Sequence, residues 1–159
     1  MNPTIAFAKK VQRLFVTVAS SLQSPFLLFV RMYWGWQLYL SGKGKLGNLA
    51  GVTEFFTSLN LPFPAMTARF ISGLEFFGGI LLFVGLFSRP LALVLTVNLL
   101  VAYYTADHEA LLSFISDPDK FMAAAPFTFL LASLIVLIFG PGKFCLDELI
   151  AWYFDKKAH

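Results

Sequence analysis

Two charged residues lie well inside long apolar stretches, Arg31 within residues 25–41 and Glu75 within residues 65–87. In hydrocarbon an unpaired charge costs at least about 2.5 kcal/mol, so such residues persist by pairing, by facing a watery cavity or by changing protonation state. If each stretch is a membrane-crossing helix, the 1.5 Å rise per residue puts Arg31 about 9 Å from one membrane face, Asn98 about 12 Å, and Gln37 and Glu75 about 18 Å. One polar band is therefore expected, with Arg31 bridging to Glu75 and the amides of Gln37 and Asn98 satisfying the remaining donors and acceptors. Its chemistry would be proton uptake and release at Glu75, with Arg31 holding an anionic or carbonyl-bearing small molecule. An ion pair that only fixes helix register is the competing reading.

Around this band the first stretch carries Tyr33, Trp34, Trp36 and Tyr39. Trp34 could line a flat ring such as a quinone, although packing or an interfacial aromatic belt accounts for the same residues. Lys43 and Lys45, set among Gly42, Gly44 and Gly47, are placed to receive an anion at the mouth or to snorkel to the interface. No GxxxxGK[ST] loop accompanies them. Asp107, His108 and Glu109 are consecutive and do not face one site on a helix, so no metal site is expected. The only two histidines and the single cysteine, Cys145, assemble no nucleophilic triad, CxxC pair or intramolecular disulfide. Redox electrons would have to come through a bound cofactor or a partner subunit.

These residues need helices in a membrane to position them. Over 159 residues, 58% are hydrophobic and only 13% charged, about half the charged fraction of soluble proteins. The net charge of +3 is spread along the chain, which gives no footprint for nucleic acid. The expected fold class is all-α, an integral-membrane antiparallel four-helix bundle with interfacial amphipathic helices. Residues 1–23 read as an amphipathic helix, with Phe7, Val11, Leu14, Phe15, Val18 and Leu22 opposite Lys9, Lys10 and Arg13. Residues 24–140 form the bundle, with spans at about 25–41, 65–87, 90–106 and 120–139, the last kinked at Pro126. Between the first two spans, glycines frame a short helix capped by Asn48. Residues 141–159 form an amphipathic tail after Gly140-Pro141-Gly142. The first apolar run lacks an A-x-A-like cleavage site and reads as a retained span. An even number of spans puts both termini on one side, and that side carries seven Lys and Arg against four on the other. The positive-inside rule makes it the cytoplasm.

The order Arg31-x3-Gly35, Gly42, Gly44-Lys45-Leu46, Phe55-Phe56-Thr57-Ser58-Leu59-Asn60-Leu61-Pro62, Gly73-Leu74-Glu75-Phe76-Phe77-Gly78-Gly79 and Gly85-Leu86-Phe87-Ser88-Arg89 resembles the DoxX family of small four-span membrane proteins. That resemblance implies a compact bundle in the bacterial inner membrane. It also implies recurring polar positions at Arg31, Lys45 and Glu75, and a Gly in relatives where this chain has Asn60. Some relatives are subunits of a thiosulfate:quinone oxidoreductase, and others belong to membrane redox systems handling thiols and oxidative stress. The expected function is accordingly a component of a quinone-linked or thiol-related redox system, an oxidoreductase subunit without redox side chains of its own. Its expected partners are the lipid bilayer, a redox partner subunit and a small-molecule ligand, with self-association into an oligomer left open. A small-molecule transporter and a structural anchor for another subunit are the alternatives.

Overall fold

A computed structural model describes residues 3–158. Residues 1, 2 and 159, which fall in the two expected terminal helices, lie outside the described residues, as do the side chains of residues 3–6, 8 and 158. Among the described residues every regular element is a helix: α1 (Pro3–Gly47), α2 (Leu49–Ser58), α3 (Pro64–Val84), α4 (Ser88–Thr105), α5 (His108–Leu112), α6 (Pro118–Ala123), α7 (Pro126–Phe139) and α8 (Leu146–Ala158). The four longest core helices pack in a ring, α1 on α3, α3 on α4, α4 on α7 and α7 on α1, while α2 lies on α3.

The expectation that the first span ends near Ser41 is corrected: α1 is one helix of 45 residues that runs through Pro25 and through the Gly42–Gly47 segment. Glycine lowers helix propensity by up to about 1 kcal/mol, but tertiary packing overrides it here. A Cβ on Gly42 would stand 2.2 Å from the backbone N of Phe76, one on Gly79 2.3 Å from that of Tyr39, and one on Gly35 2.8 Å from that of Phe83. The partners on α3 rise in number as those on α1 fall, so α1 and α3 are antiparallel and their backbones touch along a glycine seam. Small residues allow such approach where apolar burial no longer drives helix association.

A valine- and leucine-rich core fills the ring, with Val30, Leu38, Leu82, Leu95 and Val136 all buried. Outside it, Phe29, Phe70, Phe77, Leu93, Val97 and Ile138 are exposed around the bundle. A water-soluble protein does not carry an apolar surface this continuous, whereas lipid is its natural solvent. By length and composition α1 and α3 suffice to cross a membrane, and α7 is a shorter apolar helix. From Leu27, the first buried residue of α1 among those described, to Gly47 the helix rises about 30 Å, the thickness of a bilayer's hydrocarbon. Before Leu27 the helix continues with its described side chains from Phe7 to Leu22 exposed.

The remaining joints follow local chemistry. Asn48 caps α2 by accepting from the Gly51 N–H. Asn60 has φ +54°, and asparagine is the common non-glycine residue in that left-handed region. Asp117 caps α6 through the Lys120 N–H. The expected kinked fourth span over 120–139 is instead broken: Ala124 turns extended and Pro126 starts a new helix, where its missing N–H is no loss. Where the second and third spans are expected, at 65–87 and 90–106, the chain forms the helices Pro64–Val84 and Ser88–Thr105.

Candidate functional site

The band expected to join Arg31 with Glu75 does not form. The two charges take different partners, and Arg31 and Ser41, the partner of Glu75, are separated by about 15 Å of helix rise along α1. The expected depths already set the two residues about 9 Å apart, and nearer partners take each charge: the Leu82 and Phe144 carbonyls for Arg31, Ser41 and Lys45 for Glu75.

At the far end, the Lys45 ammonium contacts Glu75 Oε1 at 2.5 Å, and the Ser41 hydroxyl donates to Glu75 Oε2 at 2.8 Å. Both carboxylate oxygens are thus held from α1, one by a cation and one by a neutral donor. Glu75 is 5% exposed. The Lys45 side chain retains 35% exposure and connects the buried carboxylate to the surface. The site depends on the glycine seam: a Cβ on Gly42 would also stand 2.7 Å from the Glu75 carbonyl carbon. Ser41 was absent from the residues expected by sequence. The available signal was its spacing, since Ser41 and Lys45 are four apart and share one helix face.

At the near end, Arg31 is fully buried. One guanidinium nitrogen donates to the Leu82 carbonyl at 3.5 Å and another to the Phe144 carbonyl, while Nε has no partner. Gly85, at φ +75°, makes room for it: a Cβ there would fall on the Arg31 guanidinium and 2.6 Å from Cys145 Cβ. Asp147 completes the joint. Its N–H donates to the Gly85 carbonyl at 3.0 Å, and its oxygens accept from the Phe87 and Ser88 N–H groups at 2.8 and 2.9 Å. It therefore caps α4 from the start of α8, a role that its place in the tail did not disclose. Arg31 and Asp147 together tie residues 144–147 to the α3–α4 turn.

The other expected site residues are dispersed. Trp34 packs edge-on against Phe129 at 5.4 Å and lies against the core, partly buried. Gln37 is partly buried and makes no side-chain hydrogen bond among the described residues. Asn98 faces a cleft of about 750 Å³ between α3 and α4, whose other lining includes Phe63, Phe70, Leu74 and Val97. Asp107, His108 and Glu109 diverge: His108 lies edge-on to Tyr104, and Glu109 pairs with Lys120 at 3.0 Å. That hydrogen bond holds the Glu109 carboxyl below its ordinary range.

A cleft open through an apolar surface and a charged pair set into a backbone-close helix contact define a small helical membrane protein with an embedded polar site. The family model described as DoxX matches residues 26–108, and the chain belongs to the DoxX family. A Bacillus subtilis (strain 168) protein named "Putative oxidoreductase CatD" is 28% identical over 125 residues, covering 77% of this chain and 85% of its own length. No solved structure matches.

Proposed function

We propose that this chain is an inner-membrane component of a redox system, in which Glu75 exchanges protons and the α3–α4 cleft holds a lipid-soluble carrier of the quinone class. The observation that carries the reading is a carboxylate 5% exposed, bound on one side to Ser41 and on the other to a lysine that reaches the surface. The lysine gives this buried carboxylate a route outwards, which a purely structural ion pair has no need of.

The cleft suits a quinone in shape and polarity. Its lining is almost wholly apolar, as a prenyl tail requires, and the Asn98 amide offers a donor to a ring carbonyl. When bound, a quinone supplies two-electron, two-proton chemistry, and the electrons come from a partner subunit. The chain's own contributions are orientation by Asn98, exclusion of water by Phe63, Phe70 and Leu74, and proton exchange at Glu75 on the adjoining face of α3. The name of the Bacillus relative supports redox work, and thiol or sulfur compounds are the substrate class we assign to the partner. The charge asymmetry of the sequence supports a reading with both termini in the cytoplasm.

The test is quinone-analogue reduction in membranes that contain this protein with its partner. Glu75→Gln is expected to abolish turnover and Asn98→Leu to raise the KM for the analogue, each with unchanged helical content. Wild-type turnover by Glu75→Gln removes the carboxylate from the mechanism. Solute uptake by proteoliposomes of the protein alone would favour a transporter, to which the break between α6 and α7 also lends itself.

A further inference from the structure

A second cavity, of about 580 Å³, opens at the near end of the bundle, away from both Glu75 and the α3–α4 cleft. Its walls are mixed in character: Leu27 and Phe139 are apolar, Ser24 is polar, and Arg89, Lys143 and Glu148 bring charge. Arg89 and Lys143 pair with no carboxylate among the described residues. The exposed Arg89 guanidinium lies over Gly140, where a Cβ would stand 3.2 Å from Nη2 and 3.3 Å from Nε. The backbone of Lys143 is tied to α1 by its N–H, which donates to Ser24 Oγ at 3.4 Å. Asp147 also lines the cavity, but both of its oxygens are engaged by the Phe87 and Ser88 N–H groups. Glu148 is exposed and uncommitted.

The cavity thus offers two free cations, one free carboxylate and an apolar floor. Its depth is set by α1: Ser24 lies one turn beyond Leu27, where the hydrocarbon-length part of the helix begins, so the charged rim stands at head-group level. We propose that this cavity binds a phospholipid whose head group carries both a phosphate and a primary ammonium, as in phosphatidylethanolamine. Arg89 and Lys143 take the phosphate, which guanidinium and ammonium donors bind through charge-assisted hydrogen bonds. Glu148 takes the ammonium. An acyl chain runs down over Leu27 and Phe139. A purely anionic lipid leaves Glu148 facing like charge, and a trimethylammonium head group has no N–H to donate to it.

The experiment is native mass spectrometry of the full chain, delipidated in detergent and titrated with phosphatidylethanolamine, phosphatidylglycerol, phosphatidylcholine or inorganic phosphate. Phosphatidylethanolamine is expected to bind most tightly, with no displacement by inorganic phosphate. Arg89→Gln and Lys143→Gln should each weaken it about tenfold, the loss expected for one charge-assisted hydrogen bond. Glu148→Gln should remove the preference over phosphatidylglycerol while retaining lipid. All three side chains are exposed, and unchanged thermal melting of each variant will establish that the bundle is intact. Preference for phosphatidylglycerol, displacement by inorganic phosphate alone, or full lipid retention by Arg89→Gln overturns the assignment.

Discussion

Replacing Gly42 by Ala adds one methyl group to the closest point of the α1–α3 seam. The new carbon would stand 2.2 Å from Phe76 N, 2.6 Å from Phe76 Cα and 2.7 Å from the Glu75 carbonyl carbon, where ordinary contact starts at 3.4 Å. These are backbone atoms and cannot turn aside, so α3 must retreat by about 1 Å, and such overpacking costs about 1–3 kcal/mol. Ala is the better helix former by about 0.8–1 kcal/mol, which offsets only part of it. The net loss is about 2 kcal/mol at the upper end of the overpacking range, a fall in melting temperature of about 4–8 °C for a chain of this size. The same retreat carries Glu75 away from Ser41 and Lys45, whose contacts of 2.8 and 2.5 Å would stretch beyond hydrogen-bonding range. Stability and turnover should therefore fall together. Gly44→Ala, two residues on, meets nothing within 4 Å and should be neutral or stabilising. Thermal unfolding of both variants in one detergent, followed by circular dichroism, makes the comparison. Equal melting temperatures for the two variants would refute the seam and the site built on it.

Asp147→Ala removes both acceptors at the start of α4 and should cost about 1–2 kcal/mol, the usual range for an N-cap, with faster hydrogen exchange at Phe87 and Ser88. Arg31→Met preserves length but loses the donors to Leu82 and Phe144, so the segment at Lys143 should become open to trypsin; Arg31→Lys should restore only part of the protection. The Glu109 carboxyl is depressed by Lys120, so its stabilising contribution is present above the unfolded-state carboxylate range and is lost as pH falls through the lower, folded-state value. Carboxyl NMR should show that low titration, and Lys120→Ala should return it to the ordinary range.

The local rules of helix chemistry made much of the molecule legible. Asn48 and Asp117 are caps whose residue types announce helix starts, and Gly140-Pro141-Gly142 ends α7 as its backbone requirements dictate. Glu75 was singled out by the cost of charge in lipid, while Lys45, read as a lysine that receives an anion at the mouth or snorkels, is the cation that meets it. What sequence could not supply was the partner across a contact. Gly42, Gly44 and Gly47 read alike in one dimension, yet Gly42 touches α3 while Gly44 and Gly47 face open space. The end of α1 was therefore misjudged, and with it the reach of Lys45, which stays helical and arrives beside Glu75. Arg31 pointed to a carboxylate because burial demands acceptors, but backbone carbonyls of Leu82 and Phe144 serve the same demand and leave no mark in the residue pattern. Pro126 announced a disturbance, and the helix breaks before it, where Ala124 turns extended and the Tyr103 hydroxyl donates to the Phe121 carbonyl in the preceding helix.

A double-mutant cycle on Lys45→Met and Glu75→Gln, run beside one on Arg31→Met and Glu75→Gln, measures directly which cation the buried carboxylate holds. A coupling of about 1 kcal/mol or more is expected for Lys45 with Glu75, and less than about 0.5 kcal/mol for Arg31 with Glu75 across separate ends of the bundle. Strong coupling of Glu75 to Arg31, with none to Lys45, would contradict the account.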